Sequence, residues 1–190
     1  MIIKVLKLHN SFVRSNYEIN IDEKLKYIGK SNFFSPDTKF SVYDIYQTLV
    51  LKGVDIGFQR GLMNHKIMLS NNETYEFISN SFLEHSLYIN TRTVSFYEQK
   101  GHYKGIFFED RQIGLFTKNK KYSSKGNTYL IKLENDVIDH KLIIGCVLSY
   151  DMKNSSDSGS IKLYDPGNVS IEPIKVVDEE WEPNTNENIK

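Results

Sequence analysis

The chain has 190 residues, is 39% apolar and 25% charged, and carries a formal net charge of zero at pH 7. Twelve Tyr and eleven Phe supply ample apolar surface for the core of one domain, which excludes an intrinsically disordered protein. A single cysteine, Cys146, excludes an intrachain disulfide and favours a reducing compartment.

The N-terminal segment predicts neither a signal peptide nor a transmembrane span, because Lys4 and Lys7 interrupt its short apolar run. We therefore expect a cytoplasmic protein without a membrane partner. The abundance of Lys, Asn and Ile is typical of an AT-rich genome, such as that of a low-GC bacterium, its phage or a plasmid.

The first predicted elements are a strand over residues 2–8 and a hairpin partner over residues 16–21. A helix is predicted next, over residues 42–52, with Ser41 and Asp44 placed as a capping box. Its apolar positions recur with the helical period of 3.6 residues. They are Val42, Ile45, Tyr46, Leu49 and Val50.

A second helix is predicted over residues 72–85, where Tyr75, Ile78, Phe82 and Leu83 form the apolar stripe. From Tyr88 onward the apolar period changes to two, which is the period of a half-buried strand. The predicted strands cover residues 94–97, 105–108, 113–117, 128–133, 142–150, 160–164 and 169–171. The last two are joined by a type II turn with Pro166 and Gly167 at its centre.

These elements predict an α+β fold that is predominantly antiparallel β. We expect a small barrel or sandwich of about seven or more strands with two packed helices. Residues 1–177 are predicted to form a single globular domain, and residues 178–190 an acidic, disordered C-terminal tail.

The zero net charge conceals a split along the chain. Residues 178–190 hold five acids and one lysine, a sum of −4, so the first 177 residues sum to +4. Much of that excess lies in residues 99–126, where seven cations face two acids and aromatic residues are interleaved. Single-stranded nucleic acid is held by cations that follow its phosphates and by rings that stack on its bases. The predicted nucleic-acid or partner contacts are Lys100, Tyr103, Lys104, Arg111, Lys118, Lys120, Lys121, Tyr122 and Lys125.

The tail contains the single tryptophan, Trp181, among the acids Glu179, Glu180 and Glu182. One buried ring supplies much of an interface's energy, so this segment is predicted to be a short docking motif. Its carboxylates also mimic the charge of a nucleic acid, and a tail that occupies the basic surface is a second interpretation. A merely disordered terminus is the third.

Two residue sets permit an enzyme as the alternative hypothesis. Glu98 and Lys100, with Asp37 as a second carboxylate, fit the pattern of a metal-dependent nuclease. His102, with Lys104 and Arg111, suits a metal-free endoribonuclease. Both patterns are short and recur by chance, so no catalytic residue, metal ligand or cofactor is predicted.

The leading hypothesis is therefore a non-enzymatic binding protein of a phage or mobile element. It is expected to contact single-stranded nucleic acid, or a nucleic-acid-handling protein as an inhibitor or anti-defence factor, through the basic aromatic surface. A small nuclease and a structural subunit of a phage or conjugation assembly are the alternatives.

Overall fold

The structure, a computed structural model, describes residues 1–9, 14–32, 34–36, 38–59, 62–81, 83–98, 103–119, 127–156 and 175–183. The strands are β1 Ile2–His9, β2 Arg14–Ile21, β3 Lys24–Asn32, β4 Phe40–Asp44, β5 Leu49–Gln59, β6 Leu62–Leu69, β7 Thr74–Ser79, β8 Glu84–Ile89, β9 Arg92–Glu98, β10 Tyr103–Phe108, β11 Arg111–Asn119 and β12 Thr128–Leu133. One helix, α1 His140–Ser156, follows within these residues. Each strand pairs antiparallel with its neighbours in sequence, and β1 pairs with β12 to close a barrel.

The predicted α+β fold with two packed helices is wrong, because the described chain forms a closed twelve-strand barrel with a single helix. The mostly β character is confirmed. The N-terminal hairpin is confirmed as well, since β1 and β2 pair in continuous register. The predicted strands between residues 94 and 133 fall within β9 to β12. The predicted hairpin of residues 160–171 lies outside the described residues.

Residues 42–52 form two strand ends and a turn where a helix was expected. Asp44 shapes the turn, because its Oδ1 accepts hydrogen bonds from the backbone N of Tyr46 and of Thr48, at 2.9 and 2.8 Å. This is an Asx turn, which uses the same carboxylate that a helix cap would use. Val42 is fully buried whereas Tyr46 is 82% exposed, so the apolar stripe has no common face.

Residues 72–85 contain a turn, β7 and the start of β8 in place of the second predicted helix. Asn72 adopts a left-handed φ of 68° in the turn, which Asn tolerates better than most residues. Along β7, Phe77 and Ser79 are buried and alternate with more exposed positions, so the period is two. The helical spacing of the apolar residues is coincidental here.

Helix α1 replaces the strand that we predicted over residues 142–150. A short, continuous apolar run has no periodicity that separates a buried strand from a buried helix. Asp139 caps the N-terminus of the helix, since its Oδ1 accepts a hydrogen bond from Lys141 N at 2.9 Å. Its apolar residues are buried around the whole circumference, as expected of a helix without a solvent face. They are Leu142, Ile143, Ile144, Cys146, Val147, Leu148 and Met152, each at most 3% exposed.

Helix α1 lies inside the barrel. Gly145 faces Ile67 of β6, Tyr150 packs on Phe116 of β11, and the middle of the helix joins the inward strand residues in one core. Eight strands enclose little more than their own side chains, and barrel diameter grows with strand number. Twelve strands therefore leave the roughly 10–12 Å that a helix with its side chains needs. In the described part of the chain, no helix combines the length and apolarity required to cross a bilayer.

Because consecutive strands run in opposite directions, their connections alternate between the two ends of the barrel. One end, here the turn end, carries the connections 22–23, 45–48, 70–73, 90–91 and 109–110 and the segment 134–139 before α1. The other, here the loop end, carries the connections 10–13, 33–39, 60–61, 80–83, 99–102 and 120–127. Helix α1 runs from the turn end towards the loop end.

Gly53 tests the packing of this wall. A Cβ at Gly53 would lie 2.1 Å from ring atoms of the buried Phe40 on the neighbouring strand. We expect Gly53→Ala to lower the free energy of unfolding by about 1–3 kcal/mol, because overpacking displaces the ring. Urea denaturation measures the loss, and adding Phe40→Leu should recover part of it. A fully stable Gly53→Ala variant would contradict the packing of Phe40 against β5.

Candidate nucleic-acid interface

The two ends of the barrel differ in the formal charge of their connections. The turn-end connections contain eight carboxylates and neither Lys nor Arg: Asp22, Glu23, Glu73, Glu109, Asp110, Glu134, Asp136 and Asp139. The loop-end connections contain six cations against the single carboxylate of Asp37: Lys39, Arg60, Lys100, Lys120, Lys121 and Lys125. The two kinds of connection alternate along the sequence, so only the strand order separates their charges.

Aromatic residues of the connections follow the same division. The loop-end connections contain Phe12, Phe33, Phe34, Phe82 and Tyr122, whereas the turn-end connections contain Tyr46. Phe34 lies within the described residues and is 64% exposed. The loop-end connections therefore contain both residue types that bind single-stranded nucleic acid in proteins.

Five of the predicted contacts lie outside the described residues: Lys100, Lys120, Lys121, Tyr122 and Lys125. The strand ends that their connections join, on β9 to β12, all lie at the loop end. Tyr103 is the first residue of β10, and its side chain is also outside the described part. Lys118 shares the inward face of β11 with Phe116, and its Nζ lies 5.6 Å from the ring centroid of Tyr129, at the inner rim of the loop end.

Lys104 lies in the lumen and not on the outer surface. The residue is 3% exposed, and its Nζ lies 2.5 Å from Glu98 Oε2 and 4.1 Å from the ring centroid of Tyr150. Glu98 stands opposite Lys104 in the ladder between β9 and β10, so both side chains point inward. The structure thus places Lys104 apart from any exposed cationic face.

Arg111 lies at the turn end, where its Nη1 donates to Glu134 Oε2 at 2.6 Å. Seven strand positions separate it from Lys118, roughly 23 Å at the usual rise per residue. The basic stretch of residues 99–126 is therefore divided by the acidic turn at Glu109 and Asp110.

The residue sets for the two nuclease alternatives are not assembled in the described residues. In the ribonuclease set, Lys104 lies in the lumen and Arg111 lies at the turn end, while His102 is outside the described residues. In the metal-dependent set, Glu98 is engaged with Lys104, and Asp37 is outside the described residues. Among the residues with described positions, no group of three or more His, Cys, Asp or Glu is arranged to hold a metal ion.

Sequence reasoning missed a buried polar cluster around Asp151 of α1. Asp151 is fully buried, and its Oδ2 accepts hydrogen bonds from Lys7 Nζ and Tyr17 Oη, both at 2.8 Å. Its Oδ1 accepts one from Tyr129 Oη. Burial, and then the charge of Asp151, raise the pKa of both tyrosines, so their hydroxyls stay protonated and donate. The cluster joins the helix to β1, β2 and β12, positions that no local pattern connects.

Within the described residues, α1 and the inward strand residues pack together in the lumen. A cavity of about 10 Å³ lies beside Cys146 and Tyr150, enough for at most a single water molecule. A small-molecule ligand would have to displace the helix to enter there.

Part of the predicted tail packs on the outside of the barrel. Residues 175–183, here called the strap, cross the outer wall formed by β9 to β12. Val177 is buried against Phe107 and Leu115, and Trp181 and Tyr97 border the same cluster. Residues 178–183 of the predicted tail thus lie against the barrel, while residues 184–190 lie outside the described part. The predicted domain boundary at residue 177 stays a prediction.

Polar contacts hold both ends and the middle of the strap. Lys175 Nζ lies 2.9 Å from Asp110 Oδ1, and Glu182 forms an ion pair with Lys132 of β12. Gln112 binds the strap backbone twice, since its Nε2 donates to Asp178 O at 3.0 Å and its Oε1 accepts from Asp178 N at 2.9 Å. Glu179 and Glu180 of the predicted docking motif are exposed.

Comparison with known proteins finds no family model, curated protein or solved structure that matches this chain.

The Asp151 cluster predicts a large difference between breaking an ion pair and replacing it. Asp151→Ala removes the carboxylate that Lys7 contacts in a dry interior, and we expect it to cost about 3–5 kcal/mol of unfolding free energy. The double variant Lys7→Met/Asp151→Leu exchanges both partners for apolar groups and should lose much less. Urea denaturation compares them, and equal losses would contradict the role of this pair.

His65 on β6 predicts a pH dependence of stability. The residue is 1% exposed, and burial lowers its pKa from 6.5 to about 4. Between these values the unfolded state binds more protons than the folded state, so the free energy of unfolding falls as the pH drops through this window. The wild type should lose about 2 kcal/mol more than His65→Leu between pH 7.5 and 4.5. Chemical denaturation at both pH values measures this, and parallel losses would contradict it.

Proposed function

We propose that the chain is a non-enzymatic binding protein of a phage or mobile element and that it contacts single-stranded nucleic acid through its loop end. The observation that carries this proposal is the separation of charge between the ends of the barrel. Cations outnumber carboxylates by six to one in the loop-end connections, where Lys39 is paired with Asp55. The turn-end connections carry eight carboxylates, of which Glu134, Asp110 and Asp139 are paired with Arg111, Lys175 and Lys141. The remaining excess of each sign attracts a polyanion to the loop end and repels it from the turn end.

The aromatic residues add a second, independent support. Rings that accompany cations at the same end provide stacking partners for unpaired bases, at roughly 1–3 kcal/mol per base. Any base can stack in this way, so the proposed binding requires unpaired bases and depends little on the nucleotide sequence. Phe34, the described member of this set, has most of its surface in solvent.

A surface function also agrees with the state of the lumen. The helix occupies the place where many barrels bind a small ligand, and the cavity of about 10 Å³ beside Cys146 and Tyr150 is too small for a substrate. The residues that would form a ribonuclease site do not converge, because Lys104 and Arg111 lie in different compartments of the molecule. These features favour a protein that binds its partner and does not catalyse a reaction.

Filter binding with single-stranded DNA and RNA tests the proposal. Affinity should fall steeply between 50 and 200 mM salt, because bound lysines release counterions from the phosphates. We expect Lys120→Glu/Lys121→Glu to weaken binding at least about tenfold and to reduce the salt slope by about 1.4, the contribution of two phosphate contacts.

The matched control reverses two exposed lysines near the turn end, Lys24→Glu/Lys26→Glu, and should bind almost as the wild type does. Equal losses in the two double variants would contradict a loop-end interface. Absence of binding at 50 mM salt would remove nucleic acid as the partner. Cleavage of the strand during incubation, with or without Mg²⁺, would contradict a non-enzymatic function.

A further inference from the structure

The outer wall under the strap has the composition of a binding surface. Phe107 and Leu115 are large apolar residues on the outward faces of β10 and β11, where a solvated barrel wall would carry polar residues. Phe107 is 4% and Leu115 is 3% exposed, because the strap covers them. Without a covering segment, these residues and Tyr97 would form an apolar patch on the surface.

The wall is also shaped to accept the segment that covers it. Gly105 of β10 lies under Val177, and a Cβ there would fall 2.6 Å from Val177 Cγ2 and from Phe107 Cε2. The missing side chain leaves the depression into which Val177 packs. Gln112, beside it, pairs with both the N–H and the C=O of Asp178, which fixes the backbone of the segment and not only its side chains.

The strap presents a defined chemical pattern to this wall. Val177 is the apolar anchor, and Asp178 folds the following residues into a turn, since its Oδ1 accepts a hydrogen bond from Glu180 N at 3.0 Å. The turn places Trp181 on the same apolar cluster, and Glu182 reaches Lys132. The wall thus recognises an apolar residue, a tight acidic turn and a tryptophan followed by an acid.

The contacts between the strap and the wall are weak enough for the strap to dissociate reversibly. In the described part of the chain, its backbone is not paired with a strand, and Asp110 and Glu182 remain largely exposed, so their ion pairs are screened by water. The strap and the wall belong to one chain, and linked segments reach effective concentrations on the order of millimolar. A free segment of the same chemistry can compete at similar concentrations.

We propose that the outer wall of β9 to β12 is a peptide-docking surface for an acidic, tryptophan-bearing segment of a partner protein, and that the strap is its intramolecular occupant. A partner that carries the same pattern exchanges with the strap. This surface lies on the side of the barrel and not at the loop end, so the proposal does not depend on nucleic-acid binding.

The single tryptophan makes the exchange directly measurable. Full-length Trp181→Ala contains no tryptophan, so a synthetic peptide of residues 175–183 supplies all the tryptophan emission when the two are mixed. We expect a saturable blue shift of that emission. With a fluorescein-labelled form of the peptide, anisotropy should show binding to Trp181→Ala at least about tenfold tighter than to the wild type, whose own strap competes.

Two further variants in the Trp181→Ala background test the site. Gly105→Val fills the depression under Val177, and Lys132→Glu reverses the partner of Glu182, so each should weaken peptide binding, the former at least about tenfold. Circular dichroism confirms that each variant is folded, and Lys132→Glu, an outward surface change, remains informative if Gly105→Val does not fold. Unsaturable binding to Trp181→Ala at millimolar peptide, or unchanged binding to Lys132→Glu, would overturn the proposal.

Discussion

The structure depends on one constraint: a barrel of twelve strands has an interior that its own side chains do not fill, and a helix without a polar face fills it. Neither part is stable in water alone, because α1 would expose Leu142 to Leu148 on all sides and the strands would surround a void. Each element therefore supplies the core of the other. The helix brings the carboxylate of Asp151 fully inside, and Lys7, Tyr17 and Tyr129 surround it.

This constraint also explains which elements could be predicted from sequence. The strands β9 to β12 were predicted because their residues alternate between a dry lumen and the outside, a local pattern. The helix was not, because burial on every side removes the periodicity that identifies a helix. The helix predicted over residues 42–52 was wrong because a helical spacing was present without a helix. Two strand ends and the Asx turn at Asp44 place apolar residues at that spacing by coincidence. The periodicity of apolar residues shows which face of an element is exposed to solvent, so it gives no information about a segment that is buried on every side.

The candidate site was predictable in composition but not in arrangement. The concentration of cations in residues 99–126 and of acids around Trp181 is visible in the sequence. The distribution of these charged residues between the two ends of the barrel is not visible in the sequence, because it depends on the direction of each strand. Lys104 is buried and Lys118 is not, a difference that their neighbours along the chain do not reveal, and the inward-facing Glu98 is the ion-pair partner of Lys104. The Asp151 cluster joins residues up to 144 positions apart, which no single-sequence pattern connects.

The connections at the two ends of the barrel carry opposite formal charges, and this separation contributes a dipole along the barrel axis. A polyanion exerts a torque on such a body before contact, so encounters are biased towards one orientation and fewer collisions are unproductive. The reach of this torque follows the Debye length, about 8 Å at physiological ionic strength and about 30 Å at 0.01 M salt. In dilute buffer the torque acts while the polyanion is still distant, whereas at physiological ionic strength it acts only over the last few ångströms of approach.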